Sequence, residues 1–209
     1  MLPLEATPAT GTAVEDPWVL AQVIYHPCYI GGWSAAEHWG LTEQIFRPTF
    51  VVTAANIRAR RETMLGSEFH VVRVSPKALA GTTSVWRGKE RVPVSDRERT
   101  IVDAANHPEW VGGTRQLAGM LAEYKEAAER RPERLAATLA DHGRGAAHKR
   151  LGYLVEIVWP EATPVRNRAR EGRSSGIIKL DPTVRSAGRL NKRWGLWLNV
   201  DLATSTRER

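Results

Sequence analysis

Two pairs of residues in this chain have the side chains that phosphoryl transfer would need. In the segment Lys179-Leu180-Asp181-Pro182, a strand would turn Lys179 and Asp181 to one face and Leu180 to the other. A lysine neutralises phosphate and an aspartate holds Mg²⁺, and these are the two positions such a reaction must fill. An exposed strand edge ending in an Asp-Pro turn accounts equally for the same residues. Lys149 and Arg150 follow a glycine-containing turn, Asp141 to Ala147, that opens a basic helix. Backbone N–H groups at that helix start, with the two cations, have the chemistry of a phosphate cradle. A glycine-rich link between two helices is the alternative.

Other titratable groups have simpler explanations. Glu37 and His38 are sequence neighbours and cannot share one helical face closely, so a histidine packed near Trp39 is preferred to an acid–base group. His26 beside Cys28 reads as packing. Asp96 and Asp103 lie two helical turns apart, and capping accounts for Asp96 and for Ser95. The chain has no GxxxxGK[ST] loop, no GxGxxG, no HRD or DFG signature, no HExxH and no GxSxG. With one cysteine it builds neither a disulfide framework nor a Cys-only zinc site, and the expected compartment is the cytoplasm. No apolar run reaches the ~18 residues of a transmembrane helix, so no membrane partner is expected.

Charge is distributed unevenly. Residues 1–141 carry 16 basic and 17 acidic side chains, whereas residues 142–193 carry 12 basic and 4 acidic. The excess is concentrated between Arg166 and Arg193, in Arg166, Arg168, Arg170, Arg173, Lys179, Arg185, Arg189, Lys192 and Arg193. Such asymmetry suits an anionic partner, DNA or RNA among them. Trp194 and Trp197 follow this stretch, where base stacking competes with core packing as their role.

The elements that must position these groups follow from punctuation and periodicity. Asp16-Pro17 opens a helix that runs to about Tyr25, behind a loose lead-in over 1–16. A short helix spans Gly31 to Leu41, and a strand runs from Thr49 to Thr53. Hairpins turn at Gly66-Ser67 and at Arg87-Gly88-Lys89. Ser95 and Glu98 fit a capping box that leads into a helix ending before Pro108. Helices follow over 114–131, from Pro132, and over 146–159, where Leu151, Leu154, Val155 and Val158 share a face. The stretch RNRAREGRSSG at 166–176 reads as a mobile loop, and strands at IIKL and WGLWLNV close the fold. Helices, then strands, then helices, then strands predict an α+β fold with a mixed or antiparallel sheet flanked by helices.

Four segments in this order resemble one family: YIGGWSAAEHWGLTEQIF (29–46), VSDRERTIVDA (94–104), KRLGYLVE (149–156) and KLDP (179–182). They are similar to the C-terminal domain of the AbiEi-type antitoxins, which are paired with nucleotidyltransferase toxins. The resemblance covers residues 17–200 and leaves a tail over 201–209. Typical members begin with a promoter-binding winged helix-turn-helix. The sixteen residues before the first helix are too few for one, which likens the chain to the short, mycobacterial MenA- or TakA-like branch. That branch implies an atypical serine protein kinase that uses ATP and Mg²⁺ to modify the cognate toxin. Lys179 and Asp181 would then be catalytic, with Asp181 on the metal and Lys149 and Arg150 on the nucleotide. The other readings are an antitoxin that occludes its toxin without chemistry, and a nucleic-acid-binding autoregulator. The latter would use Arg166, Arg168, Arg170, Arg173, Arg189, Lys192 and Arg193 on phosphates.

Overall fold

Local signals start most of the elements. The computed structural model describes residues 16–202, so the expected lead-in and tail fall almost wholly outside the described residues. Helix α1 (Pro17–Tyr25) begins where the Asp16 carboxylate accepts the Trp18 N–H at 2.8 Å, with proline at its first position. Strand β1 (Cys28–Ile30) and helix α2 (Gly32–His38) lead to β2 (Thr49–Thr53). Two hairpins follow, β3 (Arg61–Met64) with β4 (Ser67–Arg73), and β5 (Thr83–Arg87) with β6 (Glu90–Val94), separated by a 3₁₀ turn at Pro76–Leu79.

These six strands form one mixed sheet in the order β3-β4-β2-β1-β6-β5. β2 is central and fully buried. It pairs antiparallel with β1 and parallel with β4 over five residues, from Thr49 opposite Phe69 to Thr53 opposite Arg73. Its alternation serves both faces. Val51 joins Ile30, Phe69, Val71 and Val94 against α1, while Phe50 and Val52 join Tyr29, Trp33 and Trp110 on the opposite face.

On that second face the Tyr29 hydroxyl reaches Asp103 of α3 (Arg97–Asn106), which packs into a layer with α4 (Thr114–Glu126), α5 (Pro132–His142), α6 (Gly145–Val158) and α7 (Thr163–Gly172). A 3₁₀ turn, Pro108–Val111, lies between α3 and α4. A small sheet of β7 (Ile178–Lys179), β9 (Leu196–Leu198) and β8 (Arg189–Asn191), in the order β7-β9-β8, covers the helices' far side. The larger core runs through α3 to α7 and ends on Leu180, Trp194 and Leu196. The expected apolar face of α6 is present: Leu151, Leu154 and Val155 are fully buried, and Val158 packs at the margin. Gly152 lies on the same helix against the indole of Trp194, where an added Cβ would stand 2.1 Å from a ring carbon. The architecture is α+β, a mixed six-stranded sheet flanked by helices.

The structure corrects three local expectations. The supposed mobile loop is mostly α7, which begins at Thr163-Pro164 and carries Val165 and Ala169 one turn apart, both fully buried. An amphipathic spacing with proline in the first turn forms a helix despite its five basic and polar outer residues. The cap of α3 is Asp96, whose side chain accepts the Arg99 N–H at 2.8 Å. Ser95 instead pairs its hydroxyl with Thr100, and Glu98 accepts from the Tyr124 hydroxyl. Helix α4 stops at Glu126, short of 131, because the Arg131 N–H turns back onto the Tyr124 hydroxyl at 2.8 Å.

Candidate functional site

Three of the residues suited to phosphoryl transfer, Lys149, Arg150 and Asp181, are buried near where α6, the end of β7 and the start of α4 come together, and Lys179 is half-buried beside them. Asp181 is 3% exposed. One of its oxygens accepts the Thr114 N–H at 2.7 Å, and the other accepts the Thr183 N–H at 2.8 Å and hydroxyl at 2.6 Å. It therefore caps α4 from the segment that follows β7, beside Gly113, and does not share a strand face with Lys179 as the sequence predicted, because β7 ends at Lys179. Arg150 donates to the carbonyls of Leu180 at 2.9 Å and Ala105 at 2.8 Å. Lys149 Nζ donates to the carbonyl of Gly176. Burial lowers the pKa of both, for Lys149 with help from Arg173 and for Arg150 against the pull of Glu109 and Asp181. Lys179 Nζ donates to the carbonyls of Val184 at 3.1 Å and Arg185 at 2.8 Å.

This arrangement does not fit Mg²⁺ or ATP. A cation at Asp181 would sit among N–H and O–H donors already aimed at both carboxylate oxygens. Among the described residues no group of three His, Cys, Asp or Glu side chains is placed to hold a metal. A phosphate at Lys149 or Arg150 would have to displace backbone carbonyls from buried cations, leaving those acceptors unsatisfied. The other titratable candidates are packing groups too. His38 meets the rings of Trp18 and Trp39 edge-on. Cys28 is buried, and burial pushes its thiol up to about 12, far from a reactive thiolate. Asp103 lies beneath the sheet, bonded to Arg99 Nε and the Tyr29 hydroxyl, each at 2.8 Å.

The basic segment between 166 and 193 is largely satisfied within the fold. Glu156 takes Arg170 at 3.4 Å and Arg193 at 3.1 Å, and Arg168 pairs with Glu171 at 2.9 Å. Arg166 donates to the Pro160 carbonyl, and Arg173 to that of Arg193. Arg189 and Lys192 stand on separate surface recesses. Trp194 is core, 1% exposed with its indole N–H on Glu156, and Trp197 is 36% exposed on β9.

A different set of cations remains open. A groove of about 1130 Å³ runs between the β4 end of the sheet and the helical layer. Arg58, Arg60, Arg61, Arg73 and Arg144 line it, opposed among the described residues by Glu109 as the one acidic residue. All five arginines are exposed, and among the described residues none of their guanidinium groups is in a hydrogen bond or ion pair. Along the groove His107 stacks on Trp110, with ring centroids 4.4 Å apart and planes 9° apart. Burial, assisted by the charges of Arg61 and Arg60, lowers the pKa of His70 in the same wall.

Specific contacts set the rims. Asn106, at the end of α3, donates to the His142 carbonyl at 2.9 Å and accepts the Arg144 N–H at 2.8 Å, so it clasps the α5–α6 turn and fixes where Arg144 starts. Arg99 donates to the carbonyls of Ala78 and Ala80 and touches His142 Nδ1 at 2.9 Å. It thereby holds the 3₁₀ turn next to Ser75 and Pro76 against the helices. A sequence signal for this site existed in the three arginines at 58, 60 and 61, but the near-zero balance of residues 1–141 concealed it.

No family model and no curated protein matches the chain. It is similar in structure to the RV2827C protein from Mycobacterium tuberculosis, known from a crystal structure. The TM-score is 0.59 at 19% identity, covering 88% of this chain and 68% of that one. At that identity the likeness shows a shared fold.

Proposed function

We propose that this protein is an antitoxin that neutralises a nucleotidyltransferase toxin by binding it, without transferring a phosphoryl group. The family-like segments supply the antitoxin part of the reading. The commitment of Lys149, Arg150, Lys179 and Asp181 to hydrogen bonds within the fold favours binding over chemistry. These four groups use their polar atoms to tie α4 and α6 to the segments on either side of β7 and to hold the turn after it, so the KRLGYLVE and KLDP segments that resemble the family serve the scaffold. What the molecule offers a partner is its surface. No helix among the described residues is long and apolar enough to cross a membrane, and the cytoplasm, where such a toxin would act, is the proposed compartment.

The test is to incubate the neighbouring-gene toxin with this protein in the presence and absence of ATP and Mg²⁺, then read the toxin's intact mass and activity. The expected result is suppression without ATP, an unchanged toxin mass and co-elution of the two proteins. Lys179→Met should suppress equally well. An added phosphoryl group accompanying ATP-dependent suppression would overturn the reading, as would loss of suppression by folded Lys179→Met.

A further inference from the structure

We infer that the arginine-lined groove binds single-stranded nucleic acid, with the arginines following the phosphates and the His107–Trp110 stack receiving a base. Three observations converge on this. First, the cations are uncompensated: five exposed guanidinium groups without partners among the described residues face one carboxylate. Uncompensated like charge held in a concave wall concentrates an anion there. By contrast, the basic segment 166–193 has largely spent its charge on Glu156, Glu171 and backbone carbonyls. Second, the size suits a strand. About 1130 Å³ exceeds the ~300–1,000 Å³ of small-molecule pockets.

Third, aromatic surface is interleaved with the cations. His107 is the outer ring of the stacked pair, its side chain 30% exposed, over a Trp110 that is 7% exposed. Arg61 and His70 also line a neighbouring recess of about 390 Å³, where Trp33 and Phe46 stack with centroids 5.0 Å apart. Alternating charge and ring is what a single strand requires, because its phosphates seek cations and its unstacked bases seek π-faces. An acidic peptide would use the cations and leave the rings unused. A duplex is read by an element that projects into its groove, whereas these arginines line a recess.

The experiment is fluorescence anisotropy of the full chain with a 5′-labelled twelve-nucleotide strand, as RNA and as DNA, across a salt series. Competitors are a hairpin duplex and a poly-glutamate peptide of equal charge. The strand is expected to bind with affinity that falls as salt rises. Arg58→Ala/Arg60→Ala/Arg61→Ala should weaken binding by more than about tenfold and flatten the log–log salt slope by about 2, at roughly 0.7 per lost contact. Arg73→Ala/Arg144→Ala, on the other two walls, should also weaken it. Arg168→Ala/Arg170→Ala should bind like the parent. Binding by either sugar supports the proposal. It is overturned if the parent shows no salt-dependent binding, or if both groove variants bind like the parent while folded. Tighter binding of the duplex, or equal competition by poly-glutamate, would also overturn it.

Discussion

Asp181 shows how a carboxylate can be committed to structure. Its three accepted hydrogen bonds, at 2.6–2.8 Å, satisfy the first N–H of α4 and the turn at Thr183. Thr114 is itself fully buried, so water cannot replace the lost partner. Asp181→Ala is therefore expected to cost roughly 1.5–3 kcal/mol, the range for a buried bond to a charged group. Urea unfolding would read this as a lower midpoint with an unchanged slope. A catalytic or metal-ligand role for Asp181 predicts instead that stability is preserved and function lost. At the same scale Lys149 and Arg150 hold together segments far apart in sequence, while Lys179 closes a local turn onto Val184 and Arg185, and only the fold reveals the carbonyls they bond. Residue chemistry and the family-like motifs singled them out, but the sequence carried neither their convergence nor which way they point.

At the scale of elements, α6 is fixed by the contact of Gly152 with Trp194, and the two effects of Gly152→Ala oppose each other. Alanine gains up to about 1 kcal/mol of helix propensity over glycine. Its Cβ, however, would lie 2.1 Å from an indole that is 1% exposed and bonded to Glu156 at 2.9 Å. Overpacking of this kind costs about 1–3 kcal/mol and wins, so the melting temperature should fall and Trp194 emission should shift to the red. Most elements here were readable beforehand because each carried its own signal: the Asp-Pro start of α1, the Gly66 and Gly88 turns, the apolar run of β2 and the face of α6. Three were not. β1 and β8 have three residues each, too few for a period, and they form through pairing with β2 and β9. In α7 the arginine-rich composition outweighed the two apolar positions that make it a helix. The groove was illegible for a further reason: Arg58, Arg73, His107 and Arg144 meet only after the parallel β2–β4 pairing and the docking of α3 and α6.

For the molecule as a whole, histidine burial sets the response to acid. Burial lowers the pKa of His38, His70, His142 and His148 below the usual 6.5, aided by nearby arginines for the first three and opposed by the Arg168 carbonyl for His148. The unfolded chain then takes up protons first as pH falls, so stability should decline from about pH 6.5 downward, before the carboxylates titrate. Thermal melts between pH 8 and 5 would show it, and a flat profile over that range would contradict it. Chain order adds a temporal consequence. Every strand of the large sheet lies within residues 28–94, and helices α3 to α7 all follow, within residues 97–172. Chains are synthesised from the N-terminus, and early segments emerge first. Arg58, Arg60, Arg61 and Arg73 thus leave the ribosome well before His107, Trp110 and Arg144, so the groove is complete only once α6 has emerged and docked. A nascent chain that ends before α6 therefore carries only part of this surface, and recognition through the groove waits on the docking of that helix.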